Sequence, residues 1–379
     1  MDDTLSLYVH WPFCRSKCPY CDFNSYAVEA IEQERWQASL LREMEYFANE
    51  TNGRKLASVF FGGGTPSLMA PATAAAVIAA AKRHWPTTDD LEITLEANPT
   101  SSEAGHFAAL AEAGVTRLSL GVQSFDNAAL AFLGRAHDAA EAKRAIALAA
   151  ATFERFSFDL IYARPGQTLP AWRRELEEAL AFGPGHLSVY QLTIEPGTRF
   201  YDDGVGAADE DTAAALYEAT HEVLAAAGLP AYEISNHARP GAECRHNLAI
   251  WRGSDYVGVG PGAHGRLSGP GGTEALRQIH TPGRWLAAVE GEGHGTAQRL
   301  RLESRQRADE LIMLGLRTAD GINRARFTRH SGLALEDAVD AGALAEMIDG
   351  GFLEADGESL RASAAGRQRL NAVLARLLA

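Results

Sequence analysis

Basic residues run short in this chain: 35 Lys and Arg face 49 Asp and Glu, a formal charge of −14. That balance disfavours nucleic acid or an anionic membrane surface as partner, because both reward clustered cations. Long apolar runs are missing as well. No stretch approaches the roughly 20 residues that span a bilayer, and Met1-Asp2-Asp3-Thr4 lacks the basic start and apolar core of a signal peptide. These absences give the expectation of a cytoplasmic protein without a transmembrane segment. What is present is ordinary for a soluble globular chain, 46% hydrophobic and 22% charged, and 379 residues suffice for a large core and one extra domain.

Cysteine is scarce too, with four in the chain, yet three stand within eight residues as Cys14-x3-Cys18-x2-Cys21, directly after an apolar strand. Thiols this dense in a non-secreted chain point to metal ligation, because a reducing compartment keeps them unpaired. Zinc sites and complete iron–sulfur sites want four protein ligands; this spacing supplies three. A cluster held that way keeps one iron open to a small molecule, so the loop is a place for chemistry or sensing. The competing readings are a disulfide-bonded loop and a zinc knuckle with a remote fourth ligand. Cys244 is the candidate for that corner, although a lone cysteine is usually a small buried hydrophobe.

Over the first 230 residues, short apolar runs alternate with longer helical stretches. The strand candidates are Leu5–His10, Ser58–Phe61, Leu91–Glu96, Arg117–Val122, Phe156–Tyr162 and His186–Thr193, and the helical stretches include Ile31–Asn49, Ala70–His84 and Ala104–Ala113. Such alternation is the signature of βαβ units and a parallel sheet with helices outside. Glu96, Gln123 and Asp159 fall within or at the C-terminal ends of strands, and the cysteine loop and Gly62-Gly63-Gly64 follow strands one and two. In α/β barrels those ends converge on one site. The expected fold is therefore α/β, a partial (β/α)6 barrel over residues 1–235. Residues 236–299 read as an irregular connecting segment. A compact unit at 300–379 has helices near Ser304–Arg317, Asn323–Ser331 and Leu335–Gly350, then two short runs joined by Asp356-Gly357, a hairpin signal. This pattern looks like a winged helix. Its 11 Arg, no Lys and 12 carboxylates favour contact with protein or a ligand over DNA.

Phe61-Gly62-Gly63-Gly64-Thr65-Pro66 brings bare backbone to a ligand, since glycine leaves N–H and C=O groups uncovered. Glu96 is a carboxylate between apolar strand residues and needs a partner there. Gln123, Arg135 and Asp159 face the same choice between a structural ion pair and a ligand. Four such groups in strand-end register beside a cysteine loop are better explained by one polar ligand.

The cysteine spacing with Tyr20 inside it resembles the radical S-adenosylmethionine (SAM) superfamily. Tyr8-x-His10-x-Pro12-Phe13-Cys14, the glycine triplet, Glu96, Gly121-Val122-Gln123-Ser124-Phe125 and Asp159-Leu160-Ile161-Tyr162 together resemble its HemN/HemW group, which contains oxygen-independent coproporphyrinogen III oxidases and HemW-type haem chaperones. The resemblance covers the whole chain. It implies a 4Fe–4S cluster on Cys14, Cys18 and Cys21, and a SAM pocket lined by Tyr8, Tyr20, Gly63, Gly64, Thr65, Glu96, Gln123, Arg135 and Asp159. The oxidases continue the loop as C-x-C, whereas this chain reads Cys21-Asp22-Phe23, the chaperone form. A haem-linked H-N-x-x-Y-W segment appears as His246-Asn247-Leu248-Ala249-Ile250-Trp251, with Ile250 in place of Tyr. Imidazole is a standard axial haem ligand, so His246 is the candidate for haem. Ala163-Arg164 also departs from the Gly-Leu that the family prefers before Pro165-Gly166.

What the resemblance implies is a chaperone that receives haem and passes it to an acceptor protein, any membrane contact coming through that acceptor. The alternative is a radical decarboxylase acting on coproporphyrinogen III, in which reduced cluster and SAM yield a deoxyadenosyl radical. A cluster-based redox sensor is a third reading. Whether the chain is an enzyme stays open at this point.

Overall fold

The computed structural model describes residues 3–378. Met1 and Asp2, part of the N-terminal reading, and Ala379 lie outside them. Six parallel strands follow one another in chain order across a sheet: β1 (Thr4–Trp11), β2 (Lys55–Gly63), β3 (Thr87–Ala97), β4 (Arg117–Gln123), β5 (Arg155–Tyr162) and β6 (His186–Gln191). These are the six strands expected from the sequence, longer at some ends, except that β6 stops at Gln191, two residues short of the expected Thr193. Between them run α1 (Gln33–Glu50), α2 (Pro71–His84), α3 (Ala139–Thr152) and α4 (Leu169–Ala181), with α5 (Glu210–Ala226) after β6. Helix α1 buries Trp36, Leu40, Met44 and Phe47, one stripe at helical spacing. The helix expected over Ala104–Ala113 is instead two pieces, Ser101–Ala104 and Phe107–Glu112, parted at Gly105.

Strand side chains alternate with the period of two, apart from register shifts such as the one between Leu56 and Ser58. Leu7, Val9, Val59, Phe61, Leu95, Leu118, Leu120, Phe158, Leu160 and Val189 lie in the main core beneath the helices. The opposite face is polar: Ser6, Ser58, Thr94, Arg117, Ser119, Ser157 and Ser188 are buried there. Arg117 donates to Ser157 Oγ at 2.8 Å, and Ser58 donates to Ser6 at 2.9 Å. The inward surface of the barrel is thus a hydrogen-bonded polar lumen.

Residues 236–299, expected to be irregular, extend this sheet at both edges. β7 (Asn236–Ala238) pairs antiparallel with β6, and β8 (Tyr256–Val259) lies parallel on the far side of β1. Beyond β8 come β9 (His264–Gly269), β10 (Gly272–Gln278) and β11 (Thr296–Arg301), all antiparallel, giving the order β11-β10-β9-β8-β1-β2-β3-β4-β5-β6-β7. The ends of the sheet do not pair, so the barrel stays open. Glycines in this segment serve close packing: a side chain at Gly258 would run into the carbonyl of His264. Two helices share this segment, α6 (Arg245–Trp251) and α7 (Pro282–Glu292).

The C-terminal unit has its own core, including Ile312, Phe327, Leu353, Leu360 and Leu377. Helices α8 (Ser304–Gly315), α9 (Arg324–Ser331) and α10 (Ala341–Asp349) accompany a three-stranded sheet of β12 (Ile322–Asn323), β13 (Leu353–Ala355) and β14 (Ser359–Ala362), a winged-helix-like arrangement. Asp356 makes the wing turn by accepting from the backbone N–H groups of Glu358 and Ser359. The helix expected to start at Leu335 starts at Ala341, because Asp340 caps it by accepting from Ala343 N at 2.6 Å. The unit docks on the barrel through α6, where Arg317 lies 4.8 Å over Trp251 and Arg307 donates to Gly253 O. Among the described residues no helix is long and apolar enough to cross a membrane.

Candidate functional site

The cysteine loop is held between the ends of β1 and the glycine triplet. Phe13–Cys14 pairs with Tyr26–Ala27, which closes the loop at its base, and Cys21 N donates to Cys18 O at 3.1 Å. All three thiols are half-buried. Thr65 Oγ1 donates to Cys14 Sγ at 3.4 Å, Arg135 Nη1 donates to Cys18 Sγ at 3.3 Å, and Ser25 Oγ lies 3.8 Å from Cys21 Sγ. Each sulfur therefore has a polar neighbour of the kind that stabilises thiolate and tunes a bound cluster. Burial pushes the Cys14 and Cys21 thiols up, while Thr65 and Ser25 pull them back. No three His, Cys, Asp or Glu side chains among the described residues close on a single metal ion. A four-iron cubane does not ask for that, since each thiolate takes a different iron.

Below the loop a cavity of about 460 Å³ opens between the C-terminal ends of the strands. Gly63 and Gly64 enter it from β2, Glu96 from β3, Gln123 from β4, Asp159 from β5, and Tyr20 and Arg135 from the loops above. A side chain at Gly64 would meet Phe13 O at 2.7 Å and Cys14 Sγ at 3.0 Å; one at Gly63, where φ is +113°, would meet the His10 ring at 2.7 Å. The triplet is glycine because backbone and cysteine loop touch there.

Arg135 ties the site together. Besides Cys18 it donates to Tyr20 Oη at 3.4 Å, to Asn98 Oδ1 at 2.5 Å and to Gly121 O at 2.7 Å. Asn98 in turn donates to Thr65 at 3.2 Å. Glu96 and Asp159 are half-buried in the cavity wall. Burial pushes Glu96 up to about 8, the charge of Asp159 adds to this, and Gly63 N–H and Arg117 oppose it. Burial pushes Asp159 up to about 6 against Ser188, Arg117 and Arg135. Two carboxylates held back chiefly by burial would gain from a cationic group placed beside them.

Gln123 carries the sharpest sign of a ligand. It is a non-glycine residue at φ +73°, a strained backbone that persists where surroundings enforce it. Its Oε1 is buried in the cavity wall without a hydrogen-bond partner. Ser124 and Phe125 N, just after it, both bond Glu175, which pairs with Arg164 at 2.7 Å. This accounts for one departure from the family pattern: Arg164 is buried and buttresses the Gln123 turn. Ala163 takes φ +57°, the conformation that favours the family's glycine.

Not every expected residue meets here. Tyr8 lies one layer down, bonded to His10 Nδ1 at 3.0 Å beneath Gly62. His246 stands on helix α6, not on a loop, and is shut inside the lumen. Its Nδ1 lies 2.9 Å from Ser58 Oγ, its ring stacks on Phe60 at 5.0 Å, and its Nε2 has no partner. Burial alone pushes it down to about 3. Cys244 is buried toward the N-terminal ends of the strands near Arg117, and burial pushes its thiol up to about 11. It is not brought to the cysteine loop. Asn98 and Tyr190 line the cavity and were not singled out from sequence; Asn98, two residues past Glu96 in an Asn-Pro turn, was the more legible of the two.

A model of the radical SAM superfamily matches residues 8–179, and one of the HemN C-terminal domain matches residues 302–369. The heme chaperone HemW of Escherichia coli is 38% identical over 91% of this chain and 93% of its own. The chain belongs to the HemN/HemW group of radical SAM proteins. A mouse relative, radical S-adenosyl methionine domain-containing protein 1, mitochondrial, is 40% identical over 98% of this chain and 87% of its own. Among solved structures, coproporphyrinogen III oxidase HemN of Escherichia coli superposes with a TM-score of 0.82 over 99% of this chain and 90% of its own, at 21% identity, which establishes the shared fold. The cofactors of this family are a 4Fe–4S cluster and SAM, and the donor set described above fits both.

Proposed function

We propose that this protein is a haem chaperone that receives haem beside a SAM-ligated 4Fe–4S cluster and delivers it to an acceptor protein. The observation that carries the reading is Phe23. Where the oxidases place a further cysteine, this chain places a phenylalanine that is 60% exposed at the lip of the cavity. An exposed aromatic there is suited to an apolar planar cargo and supplies no thiolate. The greater likeness to HemW than to the oxidase supports the same reading.

In this reading Cys14, Cys18 and Cys21 hold the cluster. Gly63, Gly64 and Thr65 offer backbone and hydroxyl to the amino-acid end of SAM, Glu96 and Asp159 its cationic and hydroxyl groups, and Gln123 and Arg135 complete the wall. When bound, cluster and SAM supply one-electron chemistry. The protein's own part is to hold them, keep water from them and present the Phe23 edge. The unit at 300–379, with its balanced Arg and carboxylates, is read as the acceptor-facing surface.

Cluster-loaded protein should bind hemin anaerobically and pass it to an apo-acceptor, yet form no decarboxylated porphyrinogen from coproporphyrinogen III with SAM and reductant present. Turnover above the no-protein control would reassign the chain to the oxidases.

A second test concerns Glu96. Glu96→Ala should weaken SAM about 10- to 150-fold, the loss expected for a hydrogen bond to a charged group, about 1.5–3 kcal/mol, with iron content unchanged. The pH dependence has a definite sign. Without ligand Glu96 is largely protonated below about 8, and a bound cation favours the carboxylate, so binding expels a proton. Affinity should rise from pH 6.5 to 7.5 in the wild type and less in Glu96→Gln, which subtracts the titration of SAM itself. Parallel calorimetric profiles for the two proteins would return Glu96 to a structural role.

A further inference from the structure

Haem needs an iron ligand, and the reading above leaves it unassigned, because His246 is enclosed by Ser58, Phe60 and Tyr8 within the lumen. Of the 12 histidines, His106, His264 and His280 are the exposed ones among the described residues. His106 stands in the break between the two short helices of the outer layer. His280 stands beside the cysteine loop. Its carbonyl accepts from Asn24 Nδ2 at 2.9 Å, and its Nδ1 lies 3.4 Å from Tyr26 Oη.

That second contact is the arrangement by which proteins orient a ligating imidazole: one ring nitrogen is engaged by an oxygen, and the other is left for metal. In the tautomer whose Nδ1–H donates to Tyr26 Oη, Nε2 of this exposed residue carries the lone pair. Phe23 adjoins Asn24, so the ring with the greatest exposure of any large hydrophobic described lies on the same rim. Lys17 reaches it too, donating to Phe23 O at 3.3 Å. Exposed Arg277 lies three residues before His280 and opposite His264 across the β9–β10 pair.

We infer that His280 Nε2 is the axial ligand of haem iron in a rim site outside the cysteine loop, with Phe23 against the porphyrin and Lys17 and Arg277 pairing with its propionates. The inference rests on the haem-binding reading and deepens it. Haem held there sits next to the loop that holds the cluster, open to solvent on the side from which an acceptor must take it.

The test titrates hemin into cluster-loaded wild type, His280→Ala, His280→Gln, Phe23→Ala and His246→Ala, reading affinity, Soret position and iron spin state, with cluster content and SAM binding as controls on folding. Both His280 variants should lose at least about tenfold in affinity, the low end of what disturbing a ligand's support costs a metal site, with a shifted Soret band. Added imidazole should restore the wild-type position in His280→Ala. Phe23→Ala should weaken binding without moving the band. A Soret band and affinity unchanged in both His280 variants overturns the site while leaving haem binding intact. A band that moves in His246→Ala instead does the same. A wild type that binds no hemin overturns the haem-binding reading and the site together.

Discussion

Cys18→Ala will strip the protein of its cluster: anaerobic reconstitution should give about four irons per chain in the wild type and a small residue in the variant. The loop offers three thiolates, and two soft ligands cannot retain a cubane whose fourth corner is already given to a small molecule. Cys18 is also the sulfur to which Arg135 donates at 3.3 Å, so its removal frees the guanidinium that connects Tyr20, Asn98 and Gly121. SAM binding should fall with the iron. Cys244→Ala is the control, because that thiol lies buried near Arg117, away from the loop. Equal iron loss in both variants would refute the three-ligand site.

The second large effect belongs to a residue with no side chain. Gly63→Ala places a methyl 2.7 Å from the His10 ring and 2.9 Å from Trp11 O, at a backbone φ of +113°. The conformation alone costs about 1–3 kcal/mol in a residue with Cβ, and the contacts add to it. Neither neighbour can withdraw freely, since His10 is bonded to Tyr8 and to Asn24 O. SAM affinity should drop by more than about tenfold, a factor worth 1.4 kcal/mol, and the melting temperature should fall. Gly204→Ala isolates backbone strain, because Gly204 has φ +66° with open space around it. A Gly63→Ala protein that melts and binds SAM like the wild type would refute the close approach of the triplet to the end of β1.

Much of this was legible in the chain, for identifiable reasons. The six βα units announce themselves because each strand is a compact apolar run between long Ala- and Leu-rich helices. The ligand wall was legible because Glu96, Gln123 and Asp159 are polar residues at strand ends, where an apolar residue would serve packing better. The strands of residues 236–299 were hidden by their glycines, which signal turns and here instead allow backbones such as Gly258 and His264 to touch. Helix α6 was hidden because His246, Asn247 and Trp251 read as a ligand-binding loop, and nothing local says that a helix will plug a polar lumen. The break at Asp340 was readable in principle as a helix cap, but the Ala-, Leu- and Glu-containing stretch Leu335–Gly350 reads as one helix until the Asp340 side chain is seen to accept from Ala343 N.

The attachment of the cysteine loop has a consequence for synthesis. Asn24 fixes the loop through Pro261 and His280, 237 and 256 residues further along the chain. At the usual pace of translation, 5–20 residues per second, roughly 10–50 s separate the emergence of Asn24 from that of His280. Through that interval the nascent chain presents three thiols that are not yet anchored, open to oxidation. Machinery that inserts the cluster must either wait for the last strands to leave the ribosome or shield the cysteines until they do.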